Sequence, residues 1–63
     1  MSPAQLIAWR ERLGWTRIEA SRQIGCSQNS ITAWEAGRTR IPRYIALACR
    51  ALANGMRPWG EAA

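Results

Sequence analysis

Every positive side chain in this sequence is an arginine: Arg10, Arg12, Arg17, Arg22, Arg38, Arg40, Arg43, Arg50 and Arg57. A guanidinium forks onto phosphate oxygens and onto the edges of nucleobases. Nine of them against four glutamates give 63 residues a formal charge of +5, which points to a polyanionic partner, most simply a nucleic acid. A GC-rich genome, which favours Arg and Ala codons, would produce the same excess with no partner at all. Composition leaves both readings open.

Other chemistry is scarce. The chain has no His, Asp or Lys and two cysteines, Cys26 and Cys49, which argues against a metal site or an acid–base centre. With no nucleophile given a His or Asp partner, the expectation is a protein that is not an enzyme and uses no cofactor. The two cysteines read as buried thiols of a cytoplasmic protein rather than as a structural disulfide. Apolar runs are too short for a membrane span or an export signal, so no membrane partner is expected.

Punctuation divides the chain into four short helices and a tail. Ser2 and Gln5 have capping-box spacing, Pro3 suits a first helical position, and Leu6, Trp9, Arg10 and Leu13 share one face before Gly14. Thr16 and Glu19 repeat the box and open a helix over about 17–24, in which Ala20 and Ile24 make a short apolar stripe that Gly25 ends. Ser27 caps a third helix over about 28–36, with Ile31 and Trp34 inward and Gly37 as its left-handed stop. After the loop Arg38-Thr39-Arg40-Ile41, Pro42 opens a fourth helix that buries Ile45, Ala48, Cys49 and Leu52 and closes at Asn54-Gly55. No alternating segment predicts a strand. The expected fold is all-α, a bundle of four short helices forming one domain over 1–55, with a tail at 56–63 that has room for a fifth turn.

Two short helices joined by a tight glycine turn, the second followed by a basic loop, form an arrangement able to seat a helix in the DNA major groove. It needs a small residue where the helices cross, a left-handed glycine between them and apolar anchors on the second helix. Ser21, Gly25, Ile31 and Trp34 supply these in order.

From about Leu6 to Leu52 the sequence resembles the XRE-like helix-turn-helix family of phage repressors and Cro proteins, which has a lambda-repressor-like fold. The likeness is closest from Thr16 to Gly37, where Ser27-Gln28, Ile31, Trp34-Glu35 and Gly37 match a Ser-Gln-x-x-Ile-x-x-Trp-Glu-x-Gly pattern. The resemblance implies that Gln28, Asn29, Thr32 and Ala33 read bases. Amides can pair twice with adenine, and Ala33 replaces the family's long polar side chain, leaving it a thymine methyl to contact. The alternative for Gln28 and Asn29 is simple solvation in a first helical turn. Phosphate contacts are implied for Thr16, Arg17, Ser27, Ser30, Arg38, Arg40 and Arg43, with a narrow minor groove as the other destination of Arg43. Arg10 and Glu35 are implied to form a structural ion pair, with Arg10 also in reach of a phosphate.

Trp9, Trp15 and Trp34 stand where the family carries core residues. Tyr44, Leu47 and Ala51 form an outward face of the fourth helix that, with Met56 and Trp59, is a candidate dimer contact; tail-on-helix packing within one chain is the alternative. The implied function is sequence-specific binding of double-stranded DNA by a transcriptional repressor from a phage or other mobile element. It would occupy a short palindromic operator in the major groove as a homodimer, with no small-molecule ligand. An antitoxin whose tail holds a protein toxin is the alternative of a different class.

Overall fold

A computed structural model describes residues 1–61. Four helices follow in chain order: α1 Pro3–Arg12, α2 Arg17–Ile24, α3 Gln28–Glu35 and α4 Arg43–Ala53. No strand occurs among the described residues. Each boundary has a local cause. At α1 the full capping box forms, with the Gln5 amide donating to Ser2 Oγ at 3.1 Å and the Ser2 amide to Gln5 Oε1 at 2.8 Å. At α2 only half of the expected box is present. Thr16 Oγ1 accepts from the Glu19 amide at 3.1 Å, but the Glu19 carboxylate turns forward along the helix to Gln23 at 2.9 Å and Arg22 at 3.5 Å. Partners three and four residues on share its face, and they compete with the backward bond.

The turn between α2 and α3 depends on Gly25, whose φ of 90° is closed to most side chains. There the amides of Gly25 and Cys26 both donate to the Ser21 carbonyl, at 2.8 and 3.0 Å. Ser27 then accepts from the Ser30 amide and starts α3 after two intervening residues. A longer connection would free the angle between the helices; this one fixes it.

The core consists of Leu6, Ala20, Ile31, Trp34, Ile41, Ile45 and Cys49. α3 packs on both α1 and α2, and α4 packs on α2. Trp9 ties α1 to α4 by donating from Nε1 to the Cys49 carbonyl at 2.8 Å, and it meets Trp15 edge-to-face with ring centres 5.6 Å apart. Ala20 is fully buried and Ser21 nearly so, the Ser21 hydroxyl donating to the Ile18 carbonyl at 2.7 Å, so its polar atom is satisfied inside the crossing.

Three expectations change in detail. Ile41, assigned above to the basic loop, is a core residue at 8% exposure, while Ala48 and Leu52 are only half-buried. The connection therefore pins its apolar side chain inward and leaves its arginines outside. Pro42 is the residue before α4 rather than its first turn, and no side chain caps that helix. In the tail, the fifth turn reduces to one hydrogen bond from the Glu61 amide to the Pro58 carbonyl, and Trp59 is fully exposed, so it takes no part in tail-on-helix packing within the chain. Residues 62–63 of the tail lie outside the described residues.

Candidate nucleic-acid interface

Helical spacing divides α3 into two sides. Ile31, Trp34 and Glu35 are buried, Gln28 and Asn29 are exposed, and Ser30, Thr32 and Ala33 are half-exposed. The first turn thus presents two amides on a helix held from behind by three buried side chains. Those amides are the most accessible hydrogen-bonding groups on α3. Ser27 and Ser30 are partly committed to each other, with their hydroxyl oxygens 2.9 Å apart.

Glu35 anchors the other end of the helix. Its side chain is 2% exposed and accepts from two arginines. Arg10 forks onto it, Nε to Oε2 at 2.8 Å and Nη2 to Oε1 at 3.2 Å, and Arg10 Nη1 donates to the Trp15 carbonyl at 3.2 Å. All three Arg10 nitrogens therefore have an acceptor inside the protein, and the side chain is mostly buried. Arg17 adds a third strand to the network, Nε to Glu35 Oε1 at 2.9 Å. Burial pushes the Glu35 carboxyl up, but the hydrogen bonds from Arg10 and Arg17 outweigh it and hold the group below the usual carboxylate range. The Glu35 hydrogen bond in turn raises the Arg10 guanidinium above its ordinary value. The cluster carries one net positive charge, and its half-exposed member, Arg17, faces solvent.

This bond from Arg17 was not legible in the sequence. A surplus of arginine around a single buried acid was the available signal, since one carboxylate can satisfy two guanidinium groups. Among the described residues the Arg17 Nη1 and Nη2 atoms have no protein partner, so the group that would meet a phosphate is still available.

Around α3 lie the other expected positions. Thr16 is exposed at the start of α2, and Ser27 is exposed just before α3. Arg38, Arg40 and Arg43 are all exposed and form no ion pair among the described residues. Arg40 and Arg43 also border a surface cleft of about 620 Å³ beside the uncapped start of α4. Free amides and two unpaired guanidinium groups make this region strongly attractive to anions. The two cysteines are free thiols, and burial raises both, Cys49 to about 11, so neither is a ready nucleophile or ligand. No group of residues suited to a metal ion is present among the described residues.

Residues 4–55 match the family described as helix-turn-helix domain. The chain belongs to that family. Membership bears out the resemblance to XRE-like helix-turn-helix proteins and the four-helix, all-α architecture, and it points to DNA binding and transcription regulation as the coarse function. No curated protein and no solved structure matches the chain. Among the described residues, no helix is long and apolar enough to cross a membrane.

Proposed function

We propose that this helix-turn-helix protein is a sequence-specific transcriptional repressor that occupies a short palindromic operator as a homodimer in the cytoplasm. In this reading α3 lies in the major groove. Gln28 and Asn29 pair with base edges, and Thr32 and Ala33 supply shorter polar and apolar contacts further along the helix. Arg17 and Thr16 meet the backbone on one side of the groove, with Ser27 and Ser30 beside them, while Arg38, Arg40 and Arg43 meet it on the other. Glu35 and Arg10 fix the angle at which α3 is offered.

The observation that carries this reading is the division of α3. An exposed pair of amides opens a helix whose opposite side is held by Ile31, Trp34 and the buried Glu35, with the exposed Arg17 bonded to Glu35 at its last residue and the exposed Arg38, Arg40 and Arg43 following it in the chain. Selection of bound duplexes from a randomised pool tests the reading. Enrichment of one inverted repeat with half-site centres about 10–10.5 bp apart, or a multiple of that spacing, is the expected result. Recovery of unrelated sequences at equal frequency would contradict it.

A further inference from the structure

Among the exposed arginines assigned to phosphate, one is held differently from the rest. Arg38, Arg40 and Arg43 form no ion pair among the described residues, so each guanidinium moves on a free stem and can follow a phosphate oxygen as it shifts. Arg17 is fixed. Its Nε donates to Glu35 Oε1 at 2.9 Å, while Nη1 and Nη2 have no protein partner among the described residues. The carboxylate it grips is itself held in place. Glu35 has a side chain only 2% exposed, and it accepts from Arg10 Nε on Oε2 at 2.8 Å and from Arg10 Nη2 on Oε1 at 3.2 Å. Glu35 ends α3 and Arg17 begins α2. A guanidinium is planar, so a bond at Nε restricts where the two remaining nitrogens of the same plane can reach.

We propose that Arg17 is a specificity-determining residue, a positioning clamp that ties the phosphate backbone to the reading helix through Glu35. The clamp deepens the proposed function and rests on it, since it needs α3 in the major groove. An ordinary phosphate contact carries no sequence information, because a mobile side chain grips right and wrong duplexes alike. A fixed one behaves otherwise. With Nε on the last residue of α3 and the terminal nitrogens on a phosphate, the backbone is held at a set offset from Gln28, Asn29 and Thr32 of the same helix. A wrong base displaces the first turn of α3. That displacement must then break the phosphate contact of Arg17 or pull Nε away from Glu35, and either loss adds to the cost of the mismatch. Arg17 thus contributes to base choice while touching no base. Arg38, Arg40 and Arg43 add affinity without this penalty, because no side-chain bond holds their guanidinium groups to α3.

Fluorescence anisotropy tests the clamp on the selected duplex and on duplexes with one changed base in each half-site, using wild type, Arg17→Ala, Arg17→Lys and Arg40→Ala. Both positions are exposed, and melting curves check that each variant is folded. Arg40→Ala should weaken binding to every duplex by the same factor and leave the preference at its wild-type value. Arg17→Ala should weaken the selected duplex most, so that the preference falls by about 10-fold, part of what one paired base edge supplies. Arg17→Lys retains the charge and with it the salt slope, but one ammonium offers no separate Nε and terminal nitrogens, so the preference should stay reduced. Equal weakening of every duplex by Arg17→Ala, full preference in Arg17→Lys, or the same loss of preference in Arg40→Ala would each overturn the clamp. A wild type with no preference among these duplexes would instead sink the base-reading proposal on which the clamp rests.

Discussion

Arg17 and Glu35 connect the first residue of α2 to the last residue of α3 through a 2.9 Å hydrogen bond from Nε to Oε1. The two helices of the motif are thereby joined at their far ends as well as at the Gly25 turn. The same arginine keeps its terminal nitrogens outward.

Arg17→Ala should consequently affect binding more than folding. An arginine whose side chain is 48% exposed contributes within about 1 kcal/mol to stability, whereas loss of one phosphate contact lowers the salt slope of DNA binding by about one for every sequence. Urea denaturation and binding isotherms at several salt concentrations separate these effects. A large stability loss with an unchanged slope would assign Arg17 to structure alone.

Arg10 and Glu35 should behave in the opposite way. Glu35→Ala strands two guanidinium groups, one of them largely buried, and should cost about 3–5 kcal/mol. The double change Arg10→Met with Glu35→Leu removes both buried charges and should cost less than Glu35→Ala alone. Equilibrium unfolding of the single and double variants gives the comparison. Additive losses would show that the two charges do not depend on each other.

Acid should find the same group. The Glu35 carboxyl titrates lower in the folded protein than in the unfolded chain, whose ordinary value is about 4.3. Its stabilisation is therefore complete above that value and is lost as pH falls through the lower, folded-state value. Unfolding midpoints measured from pH 6 down to pH 2 should fall below about pH 4, and Glu35→Gln should flatten part of that decline. A Glu35→Gln variant with the full wild-type pH dependence would place the titration elsewhere.

Ile41→Ala should cost about 2–5 kcal/mol, as expected for emptying a core site, although its neighbours Arg38 and Arg40 are surface residues. Thermal or urea unfolding checks this, and a loss below about 0.5 kcal/mol would return Ile41 to the loop.

Ile41 also shows where the sequence becomes hard to read. Helices α1, α2 and α3 announce themselves through Ser2, Thr16 and Ser27 and through glycines at their ends, because caps and left-handed stops are local requirements. Their apolar spacing likewise identifies Leu6, Ala20, Ile31 and Trp34 as interior. Ile41 follows no helical period, and only the path of the chain over the bundle reveals that it points inward. The forward turn of Glu19 and the Arg17–Glu35 bond are side-chain choices among several partners, which spacing alone does not rank. Trp59 is similar, since neither packing on its own helix nor contact with a second chain leaves a mark in a tail of eight residues.

The central claim is that the exposed first turn of α3 reads bases while the surrounding arginines hold phosphates. Fluorescence anisotropy of a selected duplex and a scrambled one, each at two salt concentrations, tests it most directly with wild type and Gln28→Ala side by side. Wild type should prefer the selected duplex with steep salt dependence. Gln28→Ala should lose about 1–3 kcal/mol of discrimination at one base position and keep the same salt slope. Equal affinity of wild type for both duplexes, or a Gln28→Ala variant with undiminished preference, would contradict the assignment of readout to this turn.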